Sequence, residues 1–124
     1  MINAHKLYCV FSKEAIDLMK GSRGKLAAQA GHAYVHAVWD AENRFPESLK
    51  AYRDSPHSYK IGLVVPTEAD LRALEESYRS ICGVSLVTDA GFTIFDGPTT
   101  TCLGIGPIDV DKIKDDLKAL KTLQ

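Results

Sequence analysis

The sequence predicts a three-layer α/β/α domain built on a mixed, mainly parallel four-stranded sheet. Three observations lead there. Short β-rich runs alternate with amphipathic helical stretches, the arrangement that produces parallel strands joined by crossover helices. The run "YKIGLVV" (59–65) is apolar enough to be covered on both faces. The last two strand-like runs are separated only by a turn-rich connection, which makes them antiparallel neighbours. The element order is β-α-(α)-β-α-β-β-α, and at 124 residues the chain is expected to form one domain over 1–124 with no linker.

"KLYCVF" (6–11) is the first strand, bounded by the polar "SKE". From Gly24 to Ala41, Leu26, Ala30, Ala33, Tyr34, Ala37, Val38 and Ala41 recur at spacings of three and four, which predicts a helix. Pro46 and Pro56 bracket a shorter helix across 47–53. After the strand at 59–65, Pro66 stops pairing and Thr67 caps a helix, with Asp70 three residues on as a capping box. Its stripe of Leu71, Leu74, Tyr78 and Ile81 runs to a glycine stop at Gly83. "VSLVT" (84–88) and "TTCLGIG" (100–106) are the third and fourth strands, joined through Asp96, Gly97 and Pro98. A final helix is expected after Pro107, with Val110, Ile113, Leu117 and Leu120 on one face.

Composition narrows the function classes. With 45% hydrophobic residues, a net charge of -1 and no low-complexity run, the chain reads as globular. "MINAHKLYCVF" has no long apolar stretch of the signal-peptide kind, and nothing approaches the roughly 18–20 apolar residues that span a bilayer. A soluble protein of the cytoplasm, with no membrane partner, is expected. Cys9, Cys82 and Cys102 form an odd set without C-x-x-C spacing, which fits reduced, buried thiols. Residues 1–62 carry nine Lys/Arg against six Asp/Glu, and residues 63–124 six against ten. A basic patch at Lys20, Arg23 and Lys25 therefore sits in an otherwise balanced chain.

Placed on a wheel at about 100° per residue, Lys25, Gln29, His32 and His36 fall within a stripe roughly 60° wide beside the alanine-rich face. The alanines let the helix lie close to a sheet. "GSRGKL" is not a phosphate-binding P-loop, because two residues separate Gly21 from Gly24 and Leu26 stands where a hydroxyl is needed. His32 and His36 share the spacing of a zinc pair, but the Glu of H-E-x-x-H is missing and no third ligand is evident, so no metal is expected. His36 and His57 read as surface or packing histidines. The amides of Gly24 and Lys25, at a helix N-terminus beside Arg23, are expected to be available to a phosphate. There is no G-x-S-x-G elbow and no Cys-His pair for covalent catalysis. What remains is Asp89 at a strand end with Thr93, Thr99, Thr100 and Thr101 nearby: a carboxylate that positions water, with a lysine to offset developing charge.

The two stretches resemble the two motifs of the archaeal and eukaryotic type of peptidyl-tRNA hydrolase, the second family with that activity. "GKLAAQAGHA", with Lys25 to Ala33, is similar to that family's lysine, x-A-A-Q and His-Ala pattern. "DAGFTIFDGPTTTCLGIGP" is similar to its D-A-G-x-T, turn, T-x-T and G-P pattern without a gap. The element order suits the family from residue 6 to about 120. The resemblance implies hydrolysis of the ester joining a peptidyl group to tRNA, no metal or organic cofactor, and a homodimer as the usual assembly. Lys25, Asp89, Thr93 and Thr101 match the positions usually assigned to catalysis. Asp89 is expected to orient or deprotonate water, Lys25 to offset charge on the tetrahedral intermediate or a phosphate, and the threonines to fix the ester. Lys20, Arg23, Gln29, His32, Phe92 and Thr99 are expected to bind substrate, Phe92 either stacking on the terminal adenine or covering the core. Phe92 stands where resembling sequences often carry a basic residue, Ile94 where they carry a polar one, and Gly97-Pro98 where they often read proline-glycine. The alternative reading is an inactive relative that binds RNA or protein.

Overall fold

A computed structural model describes residues 4–124; Met1 to Asn3, part of the opening stretch read as lacking a signal sequence, lie outside the described residues. Strand β1 (His5–Ser12) leads into a short helix α1 (Lys13–Leu18), the long helix α2 (Arg23–Arg44) and α3 (Pro46–Asp54). Then come β2 (Lys60–Val65), α4 (Glu68–Tyr78), β3 (Val84–Asp89) and β4 (Thr99–Asp109). A 3-10 turn at Val110–Lys112, a four-residue helix α5 (Asp115–Lys118) and β5 (Lys121–Thr122) close the chain.

The sheet has five strands in the order β3-β4-β1-β2-β5. Only β1 and β2 run parallel; β1–β4, β2–β5 and β3–β4 are antiparallel. The α/β layering is as expected, whereas "four-stranded, mainly parallel" is corrected. The physical reason lies at the C-terminus. The helix expected after Pro107 does not form, because β4 continues beyond a bulge at Gly106 and Pro107 and pairs Ile108 with Lys6 and Asp109 with His5. Val110, Ile113, Leu117 and Leu120 still turn inward, but from a turn and a helix too short to carry the periodicity as one element. The chain then adds the edge strand β5 against Leu63 and Val64.

Two larger cores flank the sheet, with a smaller one of Leu7, Ala37 and Tyr52 between β1, α2 and α3. Tyr8, Val10, Leu103 and Ile105 face α4 and α5 through Leu71, Leu74, Tyr78 and Leu117. Cys9, Phe11 and Cys102 face α1 and α2 through Ala15, Met19 and Ala33. The alternation of neighbours along β1 and β4 between these faces is the period-two signature of strands buried on both sides. All three cysteines are free and buried.

Local signals set the helix ends. Ser22 caps α2, and Thr67 with Asp70 forms a reciprocal capping box at α4, an arrangement worth about 1 kcal/mol. Helix α4 ends at Tyr78, short of the expected glycine stop. Gly83 serves helix packing instead, since a Cβ there would stand 2.5 Å from the Ala37 carbonyl oxygen and 2.9 Å from the Ala41 side chain. Gly104 is tighter still, since its Cβ would meet the Ala33 carbonyl oxygen at 2.1 Å. Alanines on α2 and glycines beneath them thus bring the helix directly onto the sheet backbone, which sets the height of every other α2 side chain above β3 and β4.

Candidate active site

Because α2 lies so low, its polar edge reaches the end of β3. The Lys25 ammonium donates to Asp89 Oδ2 at 2.7 Å and to Thr93 Oγ1 at 3.0 Å. Gln29 Nε2 donates to the same Asp89 oxygen at 3.0 Å, and the Gly91 amide donates to Oδ1 at 2.8 Å. Residues 64 apart in sequence therefore share one hydrogen-bonded centre.

The backbone of the loop after β3 is shaped for this. Gly91 has φ +85°, and a Cβ on it would lie 2.2 Å from the Gly97 carbonyl oxygen, so the loop folds back on itself at a position only glycine accepts. The same turn aims the Gly91 N–H at Asp89, an Asx-turn. Phe95, 4% exposed, anchors the loop in the core with its ring 5.4 Å from Lys25 Nζ. Sequence reading missed Phe95; its signal was a second aromatic, three residues after Phe92, within a connection that holds no strand or helix of its own.

Thr101 sits one tier down. It has no exposed surface, and its hydroxyl donates to Gln29 Oε1 at 2.6 Å. A β-bulge places it there: Val87 pairs with Cys102 and Thr88 with Thr100, which leaves Thr101 as the extra residue of β4. Without the bulge, the Thr101 side chain would share the opposite face with Leu103 and Ile105. The hydroxyl expected to meet the ester is thus buried beneath Gln29 and committed to its amide oxygen. Gln29, expected to bind substrate, is itself only 2% exposed and spends its amide on Thr101 and Asp89.

The Lys25 bond, first, then the Gly91 amide and Gln29 hold the Asp89 carboxyl below its ordinary value of 3.8, against the opposing effect of burial. Asp89 is an anion at neutral pH. The ion pair is well shielded, with side-chain exposures of 14% and 13% for Lys25 and Asp89.

The remaining expected residues fall around this centre. Thr99 stands opposite Asp89 across the β3–β4 pair, its hydroxyl donating to the Gly97 carbonyl at 3.1 Å. Phe92 is 91% exposed at the loop tip, so it does not cover the core; Phe95 does. Lys20 and Arg23 are exposed in the turn and first residue of α2. The Lys25 amide is taken by Ser22 Oγ at 3.3 Å, so the expected pair of free amides for a phosphate is not available. His32 is exposed, with its ring centroid 5.6 Å from that of His36. Among the described residues, no group of three or more His, Cys, Asp or Glu side chains stands close enough to hold a metal ion.

Comparison with known proteins gives this geometry a family. Residues 6–123 match the family described as Peptidyl-tRNA hydrolase PTH2. The chain is 38% identical over 109 residues to "Peptidyl-tRNA hydrolase" of Methanothermobacter thermautotrophicus, covering 82% of this chain and 91% of that protein. It is 35% identical over 106 residues to "Probable peptidyl-tRNA hydrolase 2" of Drosophila melanogaster (82% and 56%). It is 36% identical over 104 residues to "Peptidyl-tRNA hydrolase 2, mitochondrial" of Homo sapiens (81% and 58%). The chain thus spans nearly all of the archaeal relative and a little over half of the two animal ones. With both motifs in one hydrogen-bonded centre and the match running almost end to end, the chain belongs to the peptidyl-tRNA hydrolase PTH2 family.

Proposed function

We propose that the protein hydrolyses the ester between a peptidyl group and the 3′ ribose of tRNA, and that the Lys25–Asp89 centre carries the reaction. The observation behind this reading is the Asp89 carboxylate fixed from three sides by Lys25, Gln29 and the Gly91 amide in a chain of this family. Oδ1 accepts only the Gly91 N–H, so it retains a lone pair for a water. A carboxylate held below its ordinary value is a weak base, and its first contribution is to aim that water at the ester carbonyl carbon.

As the new C–O bond forms, charge gathers on the carbonyl oxygen. Lys25 has three N–H donors and spends two on Asp89 and Thr93; the third faces that oxygen. Thr93 accepts from Lys25 and keeps its own hydrogen for the substrate. The intermediate collapses by breaking the bond to the ribose 3′ oxygen, which takes the proton that left the water through Asp89. The products are free tRNA and a peptide acid that loses its remaining proton to solvent. Thr101 and Gln29 act as positioning residues. Lys20, Arg23 and Phe92 meet the tRNA, the cations through phosphate.

The same reading makes residues 1–124 one domain that acts as a homodimer in the cytoplasm. The single sheet, which takes strands from both ends of the described chain, supports the one-domain part of this reading, and no described helix is long and apolar enough to cross a membrane.

The test is release of tRNA from N-acetyl-aminoacyl-tRNA by purified wild type beside Asp89→Asn, with circular dichroism on both. Asp89→Asn is expected to stay folded and to lose about 10²- to 10⁴-fold in rate. A folded wild type that binds tRNA but releases none from the ester would defeat the hydrolase reading in favour of a binding module.

A further inference from the structure

Beyond Gln29, the polar edge of α2 continues as a ladder of rings. His32 and His36 have centroids 5.6 Å apart, and His36 stacks on Trp39 at 5.1 Å with an interplanar angle of 23°. Trp39 is 59% exposed, the most exposed large hydrophobic side chain after Phe92 among the described residues, and Val35 beside it is 45% exposed. A tryptophan stacked on one imidazole, with a second imidazole tilted against the first, is costly to leave against water, and none of the three belongs to a core cluster.

Three features say what covers them. First, the ladder is continuous with the candidate active site, since His32 lies one turn beyond Gln29 on the same edge as Lys25. Second, residues 23–39 contain Arg23, Lys25, His32 and His36 and not one Asp or Glu, although the chain as a whole carries 16 acidic residues. Lys25 is paired with Asp89, so Arg23 supplies the charge on these turns and no carboxylate there repels a polyanion; the acidic residues of the helix begin at Asp40, which is paired with Arg44. Third, seven residues of helix separate His32 from Trp39, about 10 Å of rise, the length of roughly three nucleotides stacked at ~3.4 Å. Rings present a π-face that any base can stack on, so the surface needs no sequence readout.

From these features, and resting on the hydrolase reading, we propose that His32, His36 and Trp39 form a stacking surface for the unpaired bases preceding the esterified nucleotide of tRNA. The ester sits at Lys25 and Asp89, and the single-stranded 3′ segment runs along α2 toward Trp39. The ladder then supplies affinity that a positive charge at the position of Phe92 would otherwise give.

The chain has one tryptophan, so its intrinsic fluorescence reports on this surface directly. Deacylated tRNA is expected to quench Trp39 emission, and the same tRNA trimmed of its unpaired 3′ nucleotides is not. Trp39→Ala and His36→Ala should weaken binding of 5′-labelled intact tRNA by about 5- to 100-fold and leave trimmed tRNA unaffected, whereas Trp39→Phe, which keeps a ring at that position, should bind intact tRNA nearly as wild type does. Equal binding of intact and trimmed tRNA with unchanged Trp39 emission overturns the proposal. So does a Trp39→Ala variant that turns a dimer into a monomer in sedimentation and weakens both RNAs alike, which makes this face a contact between copies. Quenching by intact tRNA only, from a protein that releases nothing from N-acetyl-aminoacyl-tRNA, upholds the stacking surface while the hydrolase reading fails. Hydrolysis without quenching removes the stacking surface alone.

Discussion

The hydroxyl of Thr101 donates to Oε1 of Gln29 at 2.6 Å across 72 residues of sequence, and this bond decides which end of the Gln29 amide faces Asp89. An amide has a donor end and an acceptor end; with the oxygen claimed by Thr101, the nitrogen is left for the carboxylate. Thr101→Val keeps the shape and removes the donor. It should lower kcat by about tenfold, ~1.4 kcal/mol of barrier, with little change in KM. It should also lower stability by about 1–3 kcal/mol, because the Gln29 oxygen is left buried without a partner. Thr101→Ser, which restores the hydroxyl, should recover kcat. Steady-state kinetics and thermal melts of the three proteins check this, and a Ser variant as slow as the Val variant would show that the methyl group, rather than the hydrogen bond, matters.

Lys25 and Asp89 make a prediction about acid. The folded-state value of Asp89 is depressed, chiefly by Lys25. Its contribution to stability is therefore fully present above the ordinary value of 3.8 and is lost as pH falls through the lower folded value. Lys25→Met removes the largest cause of the depression and leaves burial to oppose it. The acid limb of the melting curve should then be shallower, with the variant less stable than wild type near neutrality and the gap closing as pH falls, in melts taken between about pH 2 and 6. An unchanged slope would mean that Gly91 and Gln29 alone hold the carboxylate.

Gly104 tests the close approach of α2. With the Ala33 carbonyl oxygen 2.1 Å from where a Cβ would stand, Gly104→Ala must push the helix off β4. A loss of at least ~3 kcal/mol is expected, above the usual range for overpacking because the clash is with backbone. Activity should fall along with it, since Gln29 and Lys25 ride on the displaced helix. Chemical denaturation and the tRNA-release assay measure both effects.

Phe92 and Phe95, three residues apart, should behave oppositely. Phe92 is 91% exposed, so Phe92→Ala should change stability by less than ~0.5 kcal/mol and raise KM for the tRNA ester. Phe95 is 4% exposed, so Phe95→Ala should cost about 3 kcal/mol and loosen the loop that carries Thr93. Parallel melts and kinetics separate the two.

Much of this centre was legible before any fold. The three-and-four spacing along residues 24–41 put Lys25, Gln29 and His32 on one helix edge, because that arithmetic depends only on helix geometry. The capping box at Thr67 and Asp70 and the antiparallel pairing of β3 with β4 were legible for the same reason, being local. Asp89 was legible at a strand end, and the likeness of "GKLAAQAGHA" and "DAGFTIFDGPTTTCLGIGP" to one family joined the two stretches.

Local patterns, then, say which residues share an edge or a strand end; their distances and tiers come from how the elements pack. Val110, Ile113, Leu117 and Leu120 are spaced like a helix face, yet the ladder with His5 and Lys6 holds the chain extended through Asp109, because pairing with a distant strand outweighs a local period. The bulge at Thr101 is likewise invisible in a run of three threonines, since only the register against Val87 and Thr88 reveals which one is extra. The height of α2 above the sheet was set by a glycine on β4 and an alanine on the helix, 71 positions from each other, meeting backbone to backbone. Contacts of that kind depend on how two elements pack, and no window of sequence contains both.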